Sequence, residues 1–512
     1  MKTQLTLLAA ALLLTAAEVP LTRTNNDPFR LQYHFAPPRN WTNDPNGLVF
    51  YKGEYHLFYQ FNPFGTKWGH MTWGHAVSPD LVHWMDLPPA LKEENGIMMF
   101  SGSAVVDQHN SSGLCRDMSG DHSCLIAIYT GHTERRQTQN IAFSNDRGRT
   151  WTKYQGNPVI DLGLKDFRDP KVIWYEPQKK WVMATALSDQ HKIRFFGSSD
   201  LIHWTALSDF GPEGATGGVW ECPDLFPLPL AGSTDTKWVL VVNINPGGVA
   251  GGSGTQYFVG SFNGDSFKND NERSQQLWMD YGKDYYAAVS FFGHPARDSR
   301  RIMIGWFSNW QYANDTPESD WRGAMAFPRE ISLRKRDEGI RVTQTPVREV
   351  DKLYASKPML MAERPMTVAD ANALLARRKV RGKILRVDIE LTLGQARQAG
   401  LSVFKGEMDR TLVGVDRMKR CLFIDRNHSG VVEFNSHFPG RHEGPLHDAT
   451  SVSLDILLDQ SSVEVFAEGG GTTLADRVYP SAKDDNGIEV FADGGEAQIR
   501  SLRVVELHSV WK

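Results

Sequence analysis

Cysteine is scarce in this chain: four among 512 residues, at positions 115, 124, 222 and 421, none in a zinc-finger spacing. So few in so long a chain exclude a disulfide-built scaffold. Cys115 and Cys124 enclose the polar loop RDMSGDHS and are placed to bridge; Cys222 and Cys421 are expected free and buried. An excess of either charge is also missing. Lys and Arg number 56 against 60 Asp and Glu, a formal net charge of −4, and no basic block occurs. Nucleic acid and anionic membranes are therefore poor partners, and a neutral one fits better. Long apolar runs are absent after the first twenty residues, MKTQLTLLAAALLLTAAEVP. There, one early Lys, an apolar stretch from Leu5 and small residues at Thr15 and Ala17 read as a signal peptide over residues 1–17, too short to span a bilayer. The expectation is an exported protein, periplasmic or extracellular, without membrane insertion.

What the chain has in quantity is aromatic and β-branched residues in short alternating runs. Aromatics make up 11% and Trp numbers fifteen; some fill cores, and others are the rings that stack on sugar faces. GLVFYKGEYHLFYQF (47–61) is two such runs around Lys52-Gly53, a hairpin signal. KVIWYEPQKKWVMATAL (171–187) and LFPLPLAGSTDTKWVLVVNIN (225–245) repeat the design, and CLIAIYTGH (124–132) and RRIMIGWFSNW (300–310) are further strands. A second repeat runs alongside: SPDLVHW (78–84), SNDRGRTW (144–151), SSDLIHW (198–204) and, more loosely, SFNGDSF (261–267). Its interval of roughly fifty to seventy residues suits four-stranded blades with generous loops. The expectation is an all-β fold: a five-bladed β-propeller over residues 25–338, a linker at 339–356, and a C-terminal β-sandwich over 357–512 with a short helix near Ala369 to Arg378.

Just before the first strand of three hairpins stand NDPN (43–46), RDPK (168–171) and ECPD (221–224), each an acid followed by a proline. Asp and Pro are default turn residues, yet three chance turn acids need not recur at one point of a repeat. In a propeller the innermost strands converge on the axis, so Asp44, Asp169 and Glu221 are expected to meet. Clustered carboxylates facing a neutral, hydroxylated substrate are the apparatus of glycoside hydrolysis, one ionised and one holding a proton for the leaving oxygen. Glu221, beside Trp220, is expected to hold the proton; Arg168 is expected to keep Asp169 charged. A calcium or magnesium site is the weaker alternative, since no D-x-D-x-D ladder is present. His70 and His75, five apart, fall on opposite faces of a strand and read as hydrogen-bonding or core histidines. No metal and no cofactor is expected.

WTNDPNG, FRDPK and WECPDLF, in this order, resemble the three signature motifs of glycoside hydrolase family 32, the invertases, inulinases and levanases. QFNPFGTKW, WGHAVSPDLVHW, FSGSAV, NPGGVAGGSGTQYFVGSF, NWQYANDTPESDWRGAMAFPRE and DQSSVEVFAEGG extend the resemblance over nearly the whole chain after the signal segment. It implies a propeller followed by a sandwich, and retaining hydrolysis of terminal β-fructofuranosidic bonds in levan, inulin or sucrose. It implies Asp44 as nucleophile, Glu221 as general acid/base and Asp169 as transition-state stabiliser. Asn43, Gln60, Trp68, Phe100, Ser101, Arg168 and Trp310 would bind substrate. Thr42 stands where many members carry Met, which bears on packing under Asp44. The rival readings are a fructosyltransferase with the same site, a relative acting on arabinose polymers, which should lack the NDPNG box, and a catalytically silent fructan-binding protein.

Overall fold

The computed structural model describes residues 27–116 and 122–511; the expected signal peptide lies outside them. Period-two alternation gives strands almost throughout, and the fold is all-β with a single α-helix among the described residues, Val368–Arg377, capped by Thr367. That helix falls within a residue of its expected place.

Five sheets follow one another along the first two thirds of the chain. Their first strands are Asn40–Tyr51, Met98–Asp107, Phe167–Tyr175, Val219–Pro229 and Tyr286–Ser290, and in each sheet the second strand returns antiparallel beside the first. Each first strand packs against the first strand of the next sheet, and the fifth packs against the first. The fifth and first sheets are joined twice more. Trp321–Arg322 pairs in parallel with Asn40 and Trp41, and Phe50 N donates to Phe292 O at 2.9 Å.

Both sequence repeats have structural work. The Lys52-Gly53 turn has positive φ at both residues (47° and 88°), as a two-residue hairpin with right-twisted strands requires. The Ser-Asp motifs all connect the third strand of a sheet to the fourth. In each, an Asp or Asn side-chain oxygen caps a backbone N–H: Asp80 for His83 at 3.0 Å, Asp146 for Thr150 at 2.9 Å, Asp200 for His203 at 2.8 Å and Asn263 for Ser266 at 2.8 Å.

The expected linker needs correction. Gly339–Pro346 is the fourth strand of the fifth sheet, in register with Arg329–Arg336, and Arg348–Leu353 is a 3-10 turn. Its charged residues resemble a solvated loop, but Arg341, Val342, Thr343 and Gln344 are all buried, the Arg341 guanidinium being satisfied by the carbonyl of Glu338 at 2.6 Å. Beyond it come a seven-stranded and a five-stranded sheet, with one apolar core packed from strands of both. The edge strand Thr472–Arg477 of the larger one meets the earlier sheets: Tyr281 N donates to Thr473 O and Asp284 N to Ala475 O, both at 2.9 Å. Cys115 and Cys124 are bonded, and Cys222 and Cys421 are free and buried, as the sequence leads one to expect.

Candidate active site

A register shift interrupts all five first strands near one end. It falls at Thr42/Pro45 in the first, Phe100/Gly102 in the second, opposite Thr185 in the third, Glu221/Asp224 in the fourth and Tyr286/Val289 in the fifth. An extra residue bends a strand and re-aims its side chain. Prolines at 45, 170 and 223 cannot donate to the ladder and mark three of the shifts. Asp169, Cys222 and Ala287 have φ of 63°, 43° and 51°, conformations unfavourable to residues with a Cβ and commonest where function holds them.

The shifts aim Asp44, Ser101, Asp169 and Glu221 toward one pocket of about 250 Å³, with Tyr286 buried behind Glu221. It is lined by Asn43, Asp44, Gln60, Trp68, Phe100, Ser101, Arg168, Asp169, Glu221 and Trp310, every residue expected to act on or bind substrate, together with Val219 and Asn245.

Asp44 is held by three donors: Asn43 Nδ2 to Oδ1 at 2.9 Å, and Ser101 Oγ and Cys222 Sγ to Oδ2 at 2.7 and 3.4 Å. Trp41 Nε1 donates to Asn43 Oδ1 at 2.7 Å and so fixes which amide atom faces the acid. Thr42 places its Oγ on Gln60 O at 2.9 Å, tying the first two strands beneath the site. Burial raises the Asp44 pKa, and the Glu221 charge raises it further. Cys222 bridges the two buried acids, its backbone N donating to Asp169 Oδ2 at 3.0 Å.

Arg168 corrects one expectation. Its Nε and Nη2 both lie 3.0 Å from Glu221 Oε1, whereas Asp169 Oδ2 is 3.9 Å away. The guanidinium is thus Glu221's partner first, and burial pushes the Asp169 carboxyl up to about 7 despite it. Trp220 does not serve as the apolar neighbour expected for Glu221. Trp220 turns into the core, its Nε1 donating to Ala215 O at 2.9 Å, because neighbours on a strand face opposite ways. The other oxygen of Glu221 instead receives the Tyr286 hydroxyl. Glu221 has 21% of its side chain exposed, against 6% for Asp169.

Aromatic rings form the walls. Phe100 stacks on His132 at 4.1 Å between centroids, Trp68 meets Phe100 edge-on at 6.1 Å, and Trp310 stacks on Trp41 at 5.8 Å. His75 is buried against His56, with Nε2 3.0 Å from His56 Nδ1, while His70 is exposed beside Glu93. Neither histidine lines the pocket, and among the described residues no group of His, Cys, Asp and Glu is arranged to hold a metal.

The model of the glycosyl hydrolases family 32 N-terminal domain matches residues 34–346, and that of the family 32 C-terminal domain matches 350–506. The chain belongs to glycosyl hydrolase family 32. It is 47% identical to a levanase of Bacillus subtilis over 492 residues, covering 95% of this chain and 71% of that protein. It is 40% identical to an extracellular exo-inulinase of Aspergillus niger, over 89% of this chain and 90% of the other. Among solved structures, the exo-inulinase of Aspergillus awamori superimposes with a TM-score of 0.87 at 36% identity, covering 95% of this chain and all of that one. The β-fructofuranosidase of Schwanniomyces occidentalis, complexed with fructosyl-erythritol, gives 0.83 at 32%, covering 94% and 98%. This family 32 member is a glycoside hydrolase. Sequence reasoning missed Tyr286 and Cys222 as parts of its site. Cys222 lies inside the quoted ECPD motif; Tyr286 is on the fifth first strand, which like the second carries no acid-proline signature, so only its place in the ring of strands reveals it.

Proposed function

We propose that this protein is a retaining exo-acting hydrolase that removes terminal β-fructofuranosyl units from fructans and cleaves sucrose, and that it is exported to do so. We read the five consecutive sheets, with their cyclically packed first strands, as the blades of a propeller, and the last two as a sandwich. The observation that carries the activity is the meeting of three acids from three sheets in one small, aromatic-walled pocket. Relatives named levanase, exo-inulinase and β-fructofuranosidase supply the substrate class.

The roles follow from burial and partners. Asp44 is nearly enclosed and receives hydrogen bonds from Asn43 and Ser101, which orient it and support its ionised form for attack on the anomeric carbon. Glu221, the more exposed of the pair with Asp169, is the acid a glycosidic oxygen and later a water can reach. It protonates the leaving oxygen and then activates water for the covalent fructosyl-enzyme. Three carboxyls share the pocket with a single guanidinium, so full ionisation would leave two uncompensated charges in a buried space. Burial, with the neighbouring carboxylate charges, accordingly raises the pKa of Asp44 and Asp169. Asp169, held by the Cys222 N–H, faces the developing oxocarbenium charge.

The test is incubation with levan, inulin and sucrose separately, with chromatography of products and the anomeric configuration of released fructose followed by NMR. From levan and inulin, fructose without intermediate oligomers is expected, first released as the β-anomer, and from sucrose, fructose with an equal amount of glucose. A ladder of oligomers would overturn exo action; chain growth at high sucrose would replace hydrolysis by transfer.

A further inference from the structure

Two segments beside the pocket, at Asp284 and at Tyr312, are tied to one arginine from the C-terminal sheets. Arg426 follows the strand Cys421–Asp425 and is fully buried. Its Nη1 donates to Asp284 Oδ2 at 2.7 Å, its Nη2 to the Tyr312 hydroxyl at 2.9 Å and its Nε to Phe438 O at 2.7 Å, and it lies 3.9 Å over the Phe438 ring. Tyr312 in turn donates its hydroxyl to Asp284 Oδ1. Arg426, Asp284 and Tyr312 thus close a triangle in which every member is buried.

Each corner on the N-terminal side is two residues from a group that lines the pocket or bonds one that does. Asp284 precedes Tyr286, whose hydroxyl donates to Glu221. Tyr312 follows Trp310, the ring that stacks on Trp41. Both segments lie outside regular strands at these corners, so sheet hydrogen bonds alone do not fix them. A second tie runs in parallel: Asp284 Oδ2 also accepts Arg477 N at 2.8 Å, and Lys283 Nζ reaches Gln311 Oε1 at 2.7 Å.

We propose that Arg426 is a positioning residue for hydrolysis, acting through Asp284 on the Tyr286–Glu221 contact and through Tyr312 on the Trp310 wall. A planar guanidinium holds both partners at once with fixed geometry, which a lysine cannot reproduce. The C-terminal sheets are on this view part of the catalytic apparatus, although none of their residues lines the pocket.

This rests on the hydrolase reading above, and the experiment separates the two. Arg426→Lys and Tyr312→Phe are compared with the wild type, and with Arg386→Met as a control in the same C-terminal sheets remote from the site. kcat, KM and the pH profile of kcat/KM on sucrose are measured alongside thermal unfolding. For Arg426→Lys, kcat/KM is expected to fall about 10- to 100-fold with a displaced pH profile, the scale of small misplacements in an active site. Tyr312→Phe is expected to raise KM more than it lowers kcat, with a smaller overall loss. Arg386→Met should lower Tm without altering either constant. If both test variants keep wild-type constants, or if Arg386→Met loses as much kcat/KM as they do for the same fall in Tm, the proposal is wrong. Should Arg426→Lys fail to fold, Tyr312→Phe carries the test alone. If the wild type releases no fructose from any substrate, the hydrolase reading fails. Amide exchange at 284–286 and 309–313 then decides: it should quicken in Tyr312→Phe, and unchanged exchange overturns the bracket.

Discussion

At the scale of single residues, the site is a contest between burial and charge. Replacing Glu221 with Gln is expected to lower kcat by about 10²–10⁴, the usual worth of general acid–base help, with Tm unchanged; steady-state rates on sucrose check it. Asp169 gives a pH-dependent expectation of definite sign. Its pKa is raised from 3.8 to about 7 by burial, so the folded state holds its proton more tightly than the unfolded chain does. Below 3.8 both forms are protonated and nothing is lost. Between 3.8 and 7 the unfolded chain sheds the proton first, and native stability falls across that window and stays lower above it. Asp169→Asn has no such proton. Its Tm should exceed the wild type at pH 8 by a margin that disappears near pH 4, while activity is lost; equal Tm at both pH values would contradict the burial account.

Elements place these residues through irregularity more than through regularity. The first strand carries Gly47 at φ +54°, where a Cβ would come 2.6 Å from a ring carbon of Phe58 and 2.9 Å from Trp73. That glycine sits in a second register shift of this strand, between Asn46 and Val49, three residues past Asp44. Gly47→Ala is therefore expected to cost more than about 1 kcal/mol, both by backbone strain and by displacing rings. Reduced Tm together with reduced kcat would confirm that the bulge and the acid move together. The Cys115–Cys124 bond acts on a different element, closing a loop of nine residues' separation at the outer end of the second sheet. Cys115→Ser is expected to lower stability by about 2–3 kcal/mol, the loop-entropy value for so short a closure, and to leave kcat unchanged.

For the whole molecule, the decisive feature is a buried ionic seam between the early sheets and the C-terminal ones. His34 lies between Asp459 at 2.8 Å and Glu464 at 2.9 Å, and Arg329 joins Asp280 and Glu464, both at 2.7 Å. Replacing Arg329 with Met should destabilise by about 3–5 kcal/mol, because it strands two buried carboxylates. The seam is also pH-sensitive. Hydrogen bonds and the two carboxylates raise the His34 pKa against its burial, so its contribution is complete below 6.5 and is lost as pH rises through the raised value. Glu464 is lowered against its burial, chiefly by the Arg329 charge, so its contribution disappears as pH falls. His34→Gln should accordingly lower Tm most at mildly acid pH and least at alkaline pH; a uniform deficit would mean that the ring contributes by packing alone.

The sequence by itself determined strand content, the hairpin and Ser-Asp repeats, and ten of the twelve residues that line the pocket, because these follow from local alternation, turn chemistry and family motifs contained in a few consecutive positions. It could not decide that Gly339–Pro346 closes the fifth sheet, that Arg168 serves Glu221 before Asp169, or that Tyr286 and Cys222 complete the site. Those are matters of which atoms come within hydrogen-bond range across separations of tens to hundreds of residues. Only the closing of the sheets on one another, and the strand shifts that aim each side chain, fix distances of that kind.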